Sequence, residues 1–433
     1  MSHYKPYTAY KDSGVEWIGA VPEHWDVMRI KRAAKLRNER RNDSPEGWTY
    51  IGLEDVEAES GNYAPTEGAS RQSEDSMVGV FRAGDILYGK LRPYLRKAIV
   101  VTGDGICSTE FLVLLEGSAT AYWLHRWLLT PEITQQIEAG CDGAKMPRAD
   151  WEHVGSIPIS LPPHAEQNTI TAALDRETDR IDALITKKTR FIELLKEKRS
   201  ALITHAVTKG LDPNVKMKDS SVEWIGEVPE HWERHKISHA FEIIGSGSTP
   251  PTNQPEWYSD DGIPWITTGE LRENTVLGTS KRITEEALVK FSTLRVYPSG
   301  SLAIAMYGAT IGRLGILGVP ATTNQACCVL AGEKSILIRF VYFWLMVCKQ
   351  SIIDLFAVGG GQPNISQEII ASLRIPVPPV NEQHAVCEFL DRETTRIDAL
   401  IAKVETSITL LKERRSALIT AAVTGQIDLR EVT

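Results

Sequence analysis

The sequence predicts a mixed α/β protein built twice: two globular α/β units joined by two long helices that pair as an antiparallel coiled coil, with an internal pseudo-twofold repeat. Three observations predict it. DSGVEWIGAVPEHW at 12–25 recurs as DSSVEWIGEVPEHW at 219–232, with twelve of fourteen positions identical. LDRETDRIDALI at 174–185 recurs as LDRETTRIDALI at 390–401, and KRSALITHAVT at 198–208 as RRSALITAAVT at 414–424. Between these blocks, residues 26–155 and 233–371 share no evident sequence. The order is therefore shared, different, shared, written twice, and a repeat of this length defines the architecture before any single element does. The expected divisions are a first globular domain over 1–161, a helical segment over 162–210, a second globular domain over 211–377 and a second helical segment over 378–433.

Each shared C-terminal block reads as a long helix. Pro162-Pro163 and Pro378-Pro379 stop the strand-like SIPISL and SLRIPV, and Glu166-Gln167 and Glu382-Gln383 fall in the first turn. Apolar residues then recur every seven positions: Leu174, Ile181, Leu195 and Leu202, then Leu390, Ile397, Val404, Leu411 and Leu418, with Lys188 the break in the first series. Leu184, Ile185, Phe191 and Ile192, and likewise Leu400, Ile401 and Ile408, fill an adjacent stripe. A sustained seven-residue repeat favours a coiled coil. Residues 166–207 make ~60 Å of helix at 1.5 Å per residue. Gly210 and Gly425 are expected stops. A single such helix would expose its stripe, whereas two copies can bury each other.

The dissimilar middles read as compact α/β units. WTYIGL, AGDILYGKL, KAIVV and EFLVLL are strand-like in the first, followed by a helical stretch near 120–139. PWITTG, GSLAIAMYGATIG, LGILGV and QACCVL are strand-like in the second, followed by helical RFVYFWLMVCKQSIIDLF. The same order of elements fits both.

Composition narrows the function classes. The 433 residues are 42% hydrophobic and 24% charged. No apolar run reaches the length of a membrane span, and the polar start lacks a secretory core. Six cysteines without a CxxC pair give neither a zinc framework nor a disulfide scaffold, so a reducing cytoplasm is the expected setting. Net charge is −8, unlike a nonspecific DNA coater. The charge is uneven, however: RIKRAAKLRNERR at 29–41 holds seven Lys/Arg against one Glu. A basic face on an acidic body suits a sequence reader that draws part of its affinity from partners.

Catalytic signatures are sparse. Gly84 to Lys90 spells GxxxxGK, but Leu91 replaces the Ser/Thr and Arg92-Pro93 follows where a helix should begin. Gly245-Ser-Gly247 lacks the third glycine of a dinucleotide loop, and of His231, His235 and His239 only the first is matched in the other copy. Neither metal nor catalytic residues are expected in this chain.

The repeats carry a family resemblance. VEWIGAVPEHW and VEWIGEVPEHW, the LPPHAEQ and VPPVNEQ helix starts, and the LDRET-RIDALI coils ending in RSALIT resemble type I restriction-modification specificity subunits over nearly the whole chain. The middles resemble that family's target-recognition domains through FRAGDILYGKLRPYLRKAIVV and CSTEFLVL, and through GSGSTP, PWITTGEL, YPSGSLAIAMYGATIG, NQACCVL and GGGQPNIS. The resemblance implies that each recognition domain reads one half of a bipartite, asymmetric site in double-stranded DNA, and that the coil sets the unread spacer. It implies partners too: two modification subunits that methylate adenine with S-adenosylmethionine, and restriction or translocase subunits that use ATP and magnesium. The cofactors would belong to those partners.

Base edges are read by Arg, Lys, Asn and Gln, while many other contacts only position the backbone. The expected DNA-binding residues of the first domain are Lys90, Arg92, Tyr94, Arg96 and Lys97, with Lys145 and Arg148 secondary. Those of the second are Tyr307, Thr310 and Arg313, with Asn324, Gln325, Gln362 and Asn364. Trp17, Trp25, Trp224 and Trp232 lie in the shared block and suit packing or partner docking. A stand-alone bipartite DNA-binding regulator without modification partners remains an alternative, and a nuclease fused to recognition modules is a third reading that lacks a domain of clustered acids.

Overall fold

The computed structural model describes residues 4–43, 45, 47–66, 77–141, 146–222, 225–357 and 363–430. The chain divides into two units: residues 1–190 with 404–433, and residues 191–403. Each long helix therefore contributes one part to each unit.

In the first unit, strands Lys35–Arg37, Phe111–Leu115, Ile86–Gly89 and Ala98–Val100 form an antiparallel sheet in that order. A second sheet runs Arg40–Arg41, Val78–Phe81, Gly105–Cys107, Thr49–Ile51, its last pair parallel. The helical stretch expected near 120–139 is two helices, Ala121–Leu128 and Pro131–Glu138. Thr130 ends one and caps the next, its hydroxyl accepting from Ile133 N, and Pro131 occupies the first helical position where its missing N–H costs nothing. Trp123 and Trp127 of the first of these helices are fully buried, as is Trp25, which meets Trp123 edge-on.

In the second unit, five strands run Phe241–Ser246, Cys327–Glu333, Leu302–Ala305, Leu314–Leu317, Asn274–Val276, with the last pair parallel. Arg282–Ile283, Tyr258–Ile266 and Thr322–Thr323 form a smaller sheet. Helix Ile338–Phe356 buries Phe340, Phe343 and Trp344 against Trp232 and the sheet.

The long helices run His164–Lys209 and Val380–Val423, slightly longer than the heptads alone required. Gly210 and Gly425 follow them in the left-handed region, at φ +73° and +75°. At both starts the second proline's carbonyl, Pro163 or Pro379, accepts from the Glu and Gln amides that follow. In the first unit Ser160, in the strand just before one helix, donates to Val423 O at the end of the other, and Asp182 further along the first helix meets Arg415. In the second unit Arg199 meets Asp398 and Gly210 lies against Glu382. Within each unit the two helix segments are thus antiparallel. The principal heptad residues Leu174, Ile181, Leu195, Leu390, Ile397 and Leu418 are buried. The adjacent stripe is not uniformly covered: Leu184, Phe191 and Leu400 remain exposed, as do Leu194 and Leu410.

Candidate nucleic-acid interface

Each unit carries a strand, a single 3-10 turn and a returning strand where the candidate residues lie. In the first, Ile86–Gly89 leads through Pro93–Leu95 into Ala98–Val100. In the second, Leu302–Ala305 leads through Gly308–Thr310 into Leu314–Leu317. The turn in the first unit pairs with a later segment through Leu91 and Arg148, and that in the second through Tyr307 and Asn364. These two bridges fall at equivalent positions of the repeat, so the dissimilar middles share one fold. The GxxxxGK string is strand and tight turn, with no helix after it to form a phosphate loop.

In the first unit the backbone gathers three cations. Lys90 N donates to Glu110 O, Lys90 O accepts from Ala149 N, and Arg92 N donates to Pro147 O. Arg148 grips Glu110 with both Nε and Nη2. Lys90 is half-buried, its ammonium without a hydrogen-bond partner among the described residues. Burial pulls its pKa below the ordinary lysine range, opposed by Glu110 and reinforced by Arg148 and Arg40. Such an ammonium gains from an acceptor such as a guanine edge or a phosphate. Arg92 and Tyr94 are exposed on the turn. Arg96 and Lys97 point elsewhere: Arg96 pairs with Glu59 at 2.6 Å, and Lys97 Nζ donates to Leu53 O at 2.7 Å. Lys145 lies outside the described residues.

Two residues that sequence reasoning did not single out join this surface. Asn38 and Arg40 line, with Lys90 and Thr109, a notch of about 50 Å³. The available signal was the basic run at 29–41. Much of that run is already engaged: Arg37 makes a two-pronged pair with Asp85, and Arg41 with Asp43.

In the second unit four segments converge. Gln325 accepts from the Thr249 hydroxyl and bonds Tyr307, whose phenol is pushed up by burial and drawn partly back by that bond. Asn324 shapes the turn, its amide donating to Ile266 O and its side-chain oxygen accepting from Ala326 N. Gly247 of GSGSTP passes so close to Thr323 O that a Cβ would overlap it, so only glycine fits. Thr310 closes the turn on Tyr307 O, and Asn364 is exposed beside Tyr307. Arg313 makes no side-chain hydrogen bond or ion pair among the described residues. Gln362 lies outside the described residues.

The shared blocks serve packing. Trp25 and Trp232 are buried, and Trp17 packs edge-on against Trp127, while Trp224 lies outside the described residues. His231 pairs with Glu382 and His235 lies in a strand, so the histidine spacing is not helical. No group of three or more His, Cys, Asp or Glu suited to a metal occurs among the described residues, and none of their helices is long and apolar enough to cross a membrane.

Comparison with known proteins agrees with the repeat. Residues 229–410 match the type I restriction modification DNA specificity domain. The chain is 25% identical over 265 residues to the specificity subunit of the Escherichia coli type I restriction enzyme EcoR124I/EcoR124II, spanning 60% of each chain. It is 26% identical over 307 residues to the type I restriction enzyme MjaVIII specificity subunit of Methanocaldococcus jannaschii, spanning 68% of each. A chain solved in a study of complex assembly and conformational transition of the type I R-M system shares the fold, with a TM-score of 0.74 at 19% identity over 93% of this chain and 98% of that one. With a specificity-domain match over the second copy and the same framework repeated in the first, the chain is similar in sequence to type I restriction-modification specificity subunits.

Proposed function

We propose that this chain reads a bipartite, asymmetric DNA site, one half with each unit, and scaffolds modification subunits that carry the adenine methylation. The observation that carries the reading is the pair of equivalent turns bearing different groups. Lys90, Arg92 and Arg148 occupy one; Tyr307, Arg313, Gln325 and Asn364 occupy the other. The same scaffold presenting different donors and acceptors is what two different half-sites require. Lys90 and Arg92 suit guanine edges or phosphates, and Gln325 and Asn364 suit adenine.

The paired helices set the length of the unread spacer, and their uncovered leucines receive helices of the modification partners. Leu184 and Leu400 occupy equivalent positions of the repeat, as do Leu194 and Leu410, and all four are exposed. Equivalent patches suit two copies of one partner. S-adenosylmethionine, and ATP with magnesium where restriction or translocase subunits join, are held by those partners in the cytoplasm. The chain itself supplies recognition and no chemistry.

The test is methyl transfer to DNA from labelled S-adenosylmethionine. The purified chain gives none, and adding its modification subunit produces it. Robust transfer by the chain alone contradicts the reading; stable site-specific binding with no co-purifying methyltransferase favours the stand-alone regulator.

A further inference from the structure

In the first unit the loop after the Leu53–Asp55 turn and the Pro93–Leu95 turn each supply one residue to an unusual pair. Glu59 and Arg96 both lie in the left-handed region, at φ 67° and 48°, and they form an ion pair with each other. Glu59 N also donates to Leu95 O. Arg92, on the same turn, is left-handed too, at φ 55°. Side chains other than glycine avoid this region, and such conformations persist only where surrounding contacts hold them.

Those contacts come from the second long helix. Arg415 is largely buried; its Nη2 donates to Ser60 O at 3.1 Å and its Nη1 to Glu59 O at 3.5 Å, while Nε donates to Asp182 on the first long helix at 3.1 Å. The loop also braces itself: Glu57 accepts from the Ser60 hydroxyl and the Asn62 amide, and its carboxyl is held below the usual range by those bonds, with Lys412 and Arg415 adding to them. A chain of contacts therefore runs Asp182, Arg415, loop 57–62, Arg96, ending on the turn that carries Arg92 and Tyr94.

The second unit is anchored differently. Its left-handed glutamate, Glu273 at φ 53°, pairs with Lys349 and its carbonyl accepts from the Tyr342 hydroxyl, both on helix Ile338–Phe356. Arg199, the repeat equivalent of Arg415, pairs with Asp398 and touches Met346 Sδ, and among the described residues it donates to no loop carbonyl.

We propose that Arg415 is a positioning residue for sequence reading, latching the first unit's recognition turn to the helix pair through Glu59 and Arg96. This rests on the bipartite reading above. Arg96, expected from sequence to contact DNA, then acts by fixing the turn on which Arg92 sits.

The duplication supplies the control. Arg415→Met and Arg199→Met each break one of two equivalent helix ion pairs, and only the first releases a recognition loop. The full chain, assembled with its modification subunit, is assayed for methylation on DNA panels carrying single base-pair changes in each half-site. Arg415→Met is expected to lower discrimination at one half-site by about tenfold, the scale of one base-edge interaction, and to leave the other within about threefold. Arg199→Met changes neither by more than about threefold. Glu59→Gln, which leaves both long helices intact, reproduces the one-sided loss, and Arg415→Lys partly restores it. Equal losses from Arg415→Met and Arg199→Met, equal losses at both half-sites, or no loss with Glu59→Gln overturn the proposal. A wild-type assembly that shows no bipartite preference overturns the underlying reading instead.

Discussion

Trp25 donates its indole N–H to Glu166 at 3.1 Å, and at the equivalent positions of the repeat Trp232 donates to Glu382 at 3.0 Å. The histidine preceding each tryptophan meets the other carboxylate oxygen, His24 at 2.8 Å and His231 at 2.7 Å. The glutamine that follows each glutamate bonds backbone of the neighbouring domain: Gln167 accepts from Thr120 N, and Gln383 from Leu337 N. The shared sequence blocks are thus the parts that fasten a globular domain to the start of its helix.

The two clamps differ in burial, which predicts different costs. Glu166 is nearly buried and also accepts from the Tyr7 hydroxyl, whereas Glu382 is about a quarter exposed. Glu166→Ala leaves Trp25 and Tyr7 with unpaired buried donors, a loss of about 2–3 kcal/mol. Glu382→Ala costs less because water reaches its partners. Denaturant melts of the two variants check the order; equal losses contradict it.

Lys90 and Arg92 should act on binding, and Lys97 on folding. Lys90→Ala with Arg92→Ala weakens specific binding by about 1–3 kcal/mol for each base edge no longer read, with the melting temperature unchanged. Lys97→Ala removes the bond to Leu53 O and lowers stability by about 1 kcal/mol. Binding isotherms at fixed salt, paired with melts, separate the two classes. Unchanged affinity in a folded double variant refutes the assignment of that turn.

His125 gives a pH signature. It is fully enclosed, its Nε2–H donating to Ala98 O, and burial pulls its pKa down to about 3, with Arg126 adding to the effect. Between about pH 6.5 and 3 the unfolded chain binds a proton there that the folded chain excludes, so stability falls as pH falls through that window. The slope is about 1.4 kcal/mol per pH unit from this group. His125→Gln, which keeps a donor toward Ala98, should flatten the stability curve below pH 6; an unchanged slope contradicts the assignment.

The long helices were legible because seven-residue spacing and the paired prolines are local signals, and the strands of both middles because alternation is local too. The pairing of strands was not, nor the break at Thr130-Pro131, where capping overrides a continuous apolar pattern. At the candidate site, sequence located the turn but not the direction of its side chains. Arg96 and Lys97 read like Lys90 and Arg92, yet their partners Glu59 and Leu53 lie more than thirty residues away, and only the fold brings them together. Exposed Leu184 and Leu400 looked like core for the same reason: a heptad stripe does not say how much of it the partner helix covers.

Helix length should set the spacer. Adding one heptad to each long helix returns side chains to nearly the same face and lengthens each by about 10 Å. At ~3.4 Å per base step this is about three base pairs. Methylation maps of the extended variant should show the same half-sites with a longer gap, some activity being lost as the units rotate around the duplex. A folded, active variant with the original gap contradicts the role of the helices.

The most direct measurement is a map of methylated adenines in DNA from cells expressing this chain with its modification subunit, set beside cells lacking the chain. The predicted result is one asymmetric motif of two dissimilar half-sites separated by a fixed unread gap, present only when the chain is expressed. A continuous or palindromic motif, or methylation that does not depend on the chain, contradicts the account.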